Sequence, residues 1–67
     1  MTNEEITQRY SYLIGTPYDE SMKATISTET GRDRVLGPNE ISTMEFDPQR
    51  VHIRVDGNGN VQGLAFN

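Results

Sequence analysis

The 67 residues leave room for one hydrophobic core, so the chain is read as a single domain, residues 1–67. Ten acidic against six basic residues give a formal charge of −4, which argues against nucleic acid or an anionic membrane as partner, because phosphate binding needs concentrated positive surface. No apolar run reaches the roughly eighteen residues of a membrane span, and the lack of cysteine excludes disulfides and thiolate metal sites while suiting a reducing or an oxidising compartment equally.

Only 33% of the residues are hydrophobic, and a domain this small buries just ~60% of the surface its unfolded chain exposes. Such a core does not surround a deep substrate pocket. The chain is expected to act through its outside.

The start, MTNEEITQRY, lacks the charged head and apolar stretch of a secretory leader. It does carry Thr2-Asn3-Glu4-Glu5, the spacing of a helix capping box, with Ile6 and Tyr10 following four apart. A short N-terminal helix is expected there, then an apolar anchor and corner at Leu13-Ile14-Gly15. Thr16-Pro17-Tyr18-Asp19 reads as the start of the main helix, placed at 17–29. Thr16 would cap it, Pro17 suits its first turn, and Asp19 and Glu20 favour its positive end. Met22 and Ile26 give the apolar stripe, Asp19 and Lys23 can pair, and Gly31 stops the helix.

Arg34-Val35-Leu36 is a short strand candidate. In Arg50-Val51-His52-Ile53-Arg54-Val55, alternation puts Val51, Ile53 and Val55 on one face and Arg50, His52 and Arg54 on the other. Asp56-Gly57-Asn58-Gly59 makes a turn and Asn60–Ala65 the returning strand of a hairpin. The fold class is therefore α+β, with one main helix packed on a small mixed β-sheet.

Between the strand candidates lie Gly37 to Gln49. Connections of this length are usually functional or disordered, and Ile41, Thr43, Met44 and Phe46 favour an extended backbone. Burying Met44 and Phe46 would drag Ser42, Glu45 and Asp47 inward at several kcal/mol for each charge. The interleaving suits an exposed strip offered to a partner. Arg50 and Arg54, on the strand that follows, are placed to reach loop carboxylates and carbonyls with bidentate hydrogen bonds.

Other chemistries fare worse. His52 is the single histidine, with neither cysteine nor a nearby serine to activate. Glu45 and Asp47 are too few oxygens for a hard cation, and Gly57-Asn58-Gly59 has neither the helix nor the lysine of a phosphate cradle. No catalytic residue, metal or cofactor is assigned.

The stretch from Leu13 to Phe66 resembles the potato inhibitor I family of serine protease inhibitors and the related microbial peptidase-inhibitor family. The matching pieces are Leu13-Ile14-Gly15, Arg34-Val35-Leu36, Gly37-Pro38, Thr43-Met44-Glu45-Phe46, Arg50-Val51-x-Ile53-x-Val55-Asp56 and Asn60-Val61. The resemblance implies a reactive bond between Met44 and Glu45 on a loop at about 37–49. Met44 would fill the protease's primary pocket. Ile41, Ser42, Thr43, Phe46 and Asp47 would contact the enzyme. Arg50 matches the loop-bracing arginine, His52 stands where the second brace is often arginine or asparagine, and Arg54 lies beside them. Members of the microbial branch often tie their termini with a disulfide, which this chain lacks.

The expected function is thus substrate-like inhibition of a subtilisin-like, chymotrypsin-like or elastase-like serine protease by a monomer that is not itself an enzyme. The alternative is a non-inhibitory interaction domain that uses the same loop.

Overall fold

A computed structural model describes residues 1–40 and 47–67. Ile41 to Phe46, on which the reactive-bond reading falls, lie outside the described residues.

Helix α1 runs Asn3–Arg9 and begins on the expected capping box. The Thr2 hydroxyl accepts from the Glu5 amide at 3.1 Å, and the Glu5 carboxylate accepts from the Thr2 amide at 2.8 Å. Two amides that the first turn leaves without helical partners are satisfied reciprocally. Ile6 and Tyr10 then fall on one side and are buried. A 3-10 turn at Ser11–Leu13 follows.

Helix α2 spans Ser21–Thr30, later than the expected 17–29. Thr16 does not cap it: its hydroxyl donates to the Leu13 carbonyl at 2.6 Å. The segment around Pro17 is instead laid along the hairpin turn, with a bridge between Pro17 and Asn60. The amides of Gly15 and Tyr18 donate to the carbonyls of Val61 and Gly59, and the Val61 amide donates to the Thr16 carbonyl at 2.7 Å. Pro17 has no amide to lose at such an edge, so pairing with the hairpin outweighs the local preference for a helix start. The Asp19 carboxylate then accepts from the Ser21 amide at 2.8 Å. Its expected partner, Lys23, pairs with Glu20 and Glu40. At the other end, Gly31 (φ 74°) takes the left-handed conformation that closes the helix, as expected.

Strands β1 (Val35–Leu36), β2 (Val51–Val55) and β3 (Val61–Phe66) form a mixed sheet in the order β1-β2-β3. The β2–β3 hairpin turns at Asp56, whose carboxylate accepts from the amides of Asn58 and Asn60 at 2.9 and 3.1 Å. Val35, Val51, Ile53 and Val61 line the face that packs on Ile6, Tyr10 and Ile26. Val55 departs from the expected alternation and is only half-buried, because the register slips between Arg54 and Val55. This is the α+β fold expected from the sequence.

β1 and β2 pair in parallel, Val35 opposite Val51 and Leu36 opposite His52. Parallel neighbours cannot be joined by a tight turn. The chain must leave one end of the pair and return to the other, which takes about a dozen residues or more. The length of the 37–49 connection is therefore demanded by topology, whatever else the segment does.

Candidate functional site

Both limbs of the 37–49 connection are tied to the scaffold by side chains from outside it. The departing limb starts at Gly37, which lies against the Tyr18 ring. A Cβ there would sit 2.7 Å from the Tyr18 hydroxyl oxygen and 3.4 Å from Lys23 Cδ, so only glycine fits without a shift. The Tyr18 hydroxyl is buried with no hydrogen-bond partner among the described residues, and burial pushes its pKa up. Three residues on, the Glu40 amide donates to the Gly37 carbonyl at 3.3 Å. The Glu40 carboxylate takes an ion pair and hydrogen bond from Lys23 of α2. That contact, then the Gly37 backbone amide, holds the Glu40 carboxyl below its ordinary range, and the same contact raises Lys23.

The returning limb is held from three places. Asn3 Nδ2 donates to the Pro48 carbonyl at 3.0 Å, and Arg32 Nη1 donates to the Gln49 carbonyl at 3.1 Å. Arg34 Nη1 lies 3.4 Å from the Asp47 carboxylate. Within the limb, Asp47 accepts from the Gln49 amide at 2.9 Å and its carbonyl accepts from the Arg50 amide at 3.0 Å. The Asp47 carboxylate thus turns toward the scaffold.

Arg32 is the hub of this side. It is 8% exposed and also donates through Nη2 to the Met1 carbonyl (3.0 Å) and to Asn3 Oδ1 (2.8 Å), with its guanidinium 6.0 Å from the centre of the Phe66 ring. One planar cation thereby links the N-terminal segment, the turn after α2, the returning limb and β3. No sequence signal marked Arg32, because most of its partners are backbone carbonyls far away in the chain. The Lys23–Glu40 pair was missed for a similar reason, since its members stand 17 residues apart.

The expected braces occupy three different settings. Arg50 is 3% exposed, buried where Arg54 is not. The turn closed by its amide on Asp47 places it ahead of the alternating strand. Its guanidinium folds against the end of the sheet, where Nε and Nη2 donate to the Asn67 carbonyl, the former at 3.0 Å. His52 is half-buried on the face away from the core. Among the described residues its imidazole makes no hydrogen bond, although it lies close enough to Glu40 to favour that carboxylate slightly. Arg54 is exposed. Among the described residues, no group of three or more histidine, aspartate or glutamate side chains is placed to hold a metal ion.

This arrangement is a small α+β scaffold carrying a long crossover clamped at both limbs, a form suited to displaying a strip of chain. The family model of the peptidase inhibitor I78 family matches residues 7–66. The chain belongs to that family: it is a protease inhibitor and not an enzyme. Of the two families it resembles in sequence, the match supports the microbial peptidase-inhibitor family rather than potato inhibitor I. Among solved structures it is similar to the elastase inhibitor AFUEI (crystal form II), with 27% identity, a TM-score of 0.59, and coverage of 96% of this chain and 93% of that one. No curated protein matches the chain.

Proposed function

We propose that the chain inhibits serine endopeptidases as a slowly processed substrate, with Met44-Glu45 as the reactive bond, by the mechanism implied by its sequence resemblance to the microbial peptidase-inhibitor family and the related potato inhibitor I family. Ile41, Ser42, Thr43 and Phe46 would lie along the enzyme's cleft as an added strand, with Asp47 at its exit. Arg50 would brace the strip from below, with His52 and Arg54 beside it. A strip already in its bound shape loses little conformational entropy on association. After cleavage, the scaffold would keep the new amine beside the acyl group, so that the peptide bond re-forms.

The observation that carries this reading is the pair of anchored limbs. Glu40 and Asp47, the residues on either side of the strip, are both held by cations of the scaffold. An apolar methionine at the reactive position suits subtilisin-like, chymotrypsin-like or elastase-like pockets, in keeping with the elastase inhibitor to which the chain is similar.

Titration against subtilisin, chymotrypsin and elastase tests the proposal, with Met44→Lys in parallel. Stoichiometric, slowly reversible inhibition by the parent, and a shift toward trypsin in the variant, are the expected results. No inhibition at micromolar concentration, or selectivity unchanged by Met44→Lys, would overturn it.

A further inference from the structure

Lys23 projects from α2, an element that lies outside the connection, and it reaches Glu40 four residues before Met44. The Lys23 side chain keeps only 26% of its exposure and Glu40 39%, so the pair is better shielded than an ordinary surface contact. It is seated against the Tyr18–Gly37 contact, where no Cβ can enter. The limb is therefore held by shape at Gly37 and by charge at Glu40. On the far side, Arg34 and Arg32 hold Asp47 and Gln49.

We infer that Lys23 and Glu40 are positioning residues for inhibition: their ion pair fixes the N-terminal end of the 41–46 strip, as Arg34–Asp47 and Arg32–Gln49 fix its C-terminal end. The inference rests on the proposed reading of 41–46 as the strip that enters the protease. The brace at Arg50 acts beneath the strip, whereas this clip acts at its entrance. A strip freed at one end samples orientations in which the cleaved ends separate before the bond re-forms. Loosening the clip should then turn a slow inhibitor into a better substrate, with little effect on the core.

Among the described residues, the charged and titratable groups around the clip are Glu20, Tyr18 and His52. None of them partners Glu40 in place of Lys23: Glu20 carries the wrong charge, and among the described residues neither the Tyr18 hydroxyl nor the His52 imidazole makes a hydrogen bond. Removing either member of the pair should therefore not be compensated locally.

The test compares the parent with Lys23→Met, Glu40→Gln and the exchanged pair Lys23→Glu/Glu40→Lys. Two quantities are read: the inhibition constant against subtilisin, and the rate of cleavage within 41–46 by a broad-specificity protease acting on the folded protein. Glu29→Gln is the control. It breaks the Arg9–Glu29 pair, whose side chains are 50% and 40% exposed, and weakens the hydrogen bond that Glu29 accepts from the Tyr10 hydroxyl, at a site remote from the loop. Each single variant should weaken inhibition and speed cleavage about fivefold, the upper range for one such pair, with urea midpoints no lower than that of Glu29→Gln. The exchanged pair should recover at least half of both effects, and Glu29→Gln should change neither. Inhibition and cleavage within twofold of the parent in both single variants would overturn the clip, as would equal effects from Glu29→Gln. A parent that does not inhibit at all would overturn the proposed function instead, and the cleavage rates would still decide the clip.

Discussion

Replacing Arg32 by methionine removes the guanidinium while keeping most of the aliphatic stem. The side chain makes three hydrogen bonds, to the carbonyls of Gln49 and Met1 and to Asn3 Oδ1. Bonds of this charge-assisted kind contribute about 1.5–3 kcal/mol each when their acceptors are cut off from water. Gln49 and Met1 are exposed residues, so water would re-solvate part of what is lost and the sum must be discounted. Contact with the Phe66 ring adds about 0.5–1 kcal/mol. A net loss of about 2–3 kcal/mol results. A domain this small is seldom more stable than about 3–5 kcal/mol, so the variant should fall close to the unfolding threshold, with its thermal midpoint lowered by about 10–20 °C. Urea and thermal unfolding followed by circular dichroism read the effect directly. Arg32→Lys keeps the charge but not the fork, and should recover less than half. An Arg32→Met protein within about 0.5 kcal/mol of the parent would refute the assignment of Arg32 as a hub.

Two further stability predictions follow from the same geometry. Gly37→Ala should cost about 1–3 kcal/mol through the collision with the Tyr18 hydroxyl, whereas Tyr18→Phe should be neutral or stabilising because the lost hydroxyl has no partner among the described residues; a harmless Gly37→Ala in urea denaturation would contradict the close approach. Acid should weaken the fold. Glu5 is held low by the Thr2 amide, Asp19 by the Ser21 amide, Glu29 by the Tyr10 hydroxyl and Glu40 by Lys23. A carboxyl lowered in the folded state contributes stability that is complete above its unfolded pKa and is lost as pH falls toward the folded value. Denaturation midpoints should accordingly hold steady from pH 7 to about 5 and decline below about 4.5, and a midpoint that rises between pH 5 and 3 would contradict the sign.

The parts of the fold that were legible in the sequence are those decided by neighbours in the chain. The Thr2–Glu5 box, the Gly31 stop and the hairpin around Asp56 each use partners within five residues, so residue type and spacing determine them. The start of α2 was misplaced because Thr16 and Pro17, good helix-opening residues on their own, are recruited by Val61 and Asn60 more than forty positions away. The burial of Arg50 was not legible either, because its guanidinium folds onto the Asn67 carbonyl, 17 positions away. The connection from Gly37 to Gln49 stands out in the sequence by its length, but that length follows from the parallel pairing of β1 and β2 and says little about function by itself. The anchors of its limbs were illegible. Arg32 bonds mainly to backbone carbonyls, which any residue could supply, and Lys23 offered nearer carboxylates than Glu40. The proposed reactive bond came from the order of short motifs rather than from any local rule.

The central claim is that cleavage at Met44-Glu45 leads back to intact inhibitor. Incubating the protein with a catalytic amount of subtilisin and following the intact and nicked forms by mass spectrometry tests it most directly. The account predicts one cut, between Met44 and Glu45, with both pieces held together, a steady mixture of the two forms, and purified nicked protein that re-forms intact chain when enzyme is added. Cuts elsewhere, or steady conversion to separated peptides while protease activity returns, would contradict it.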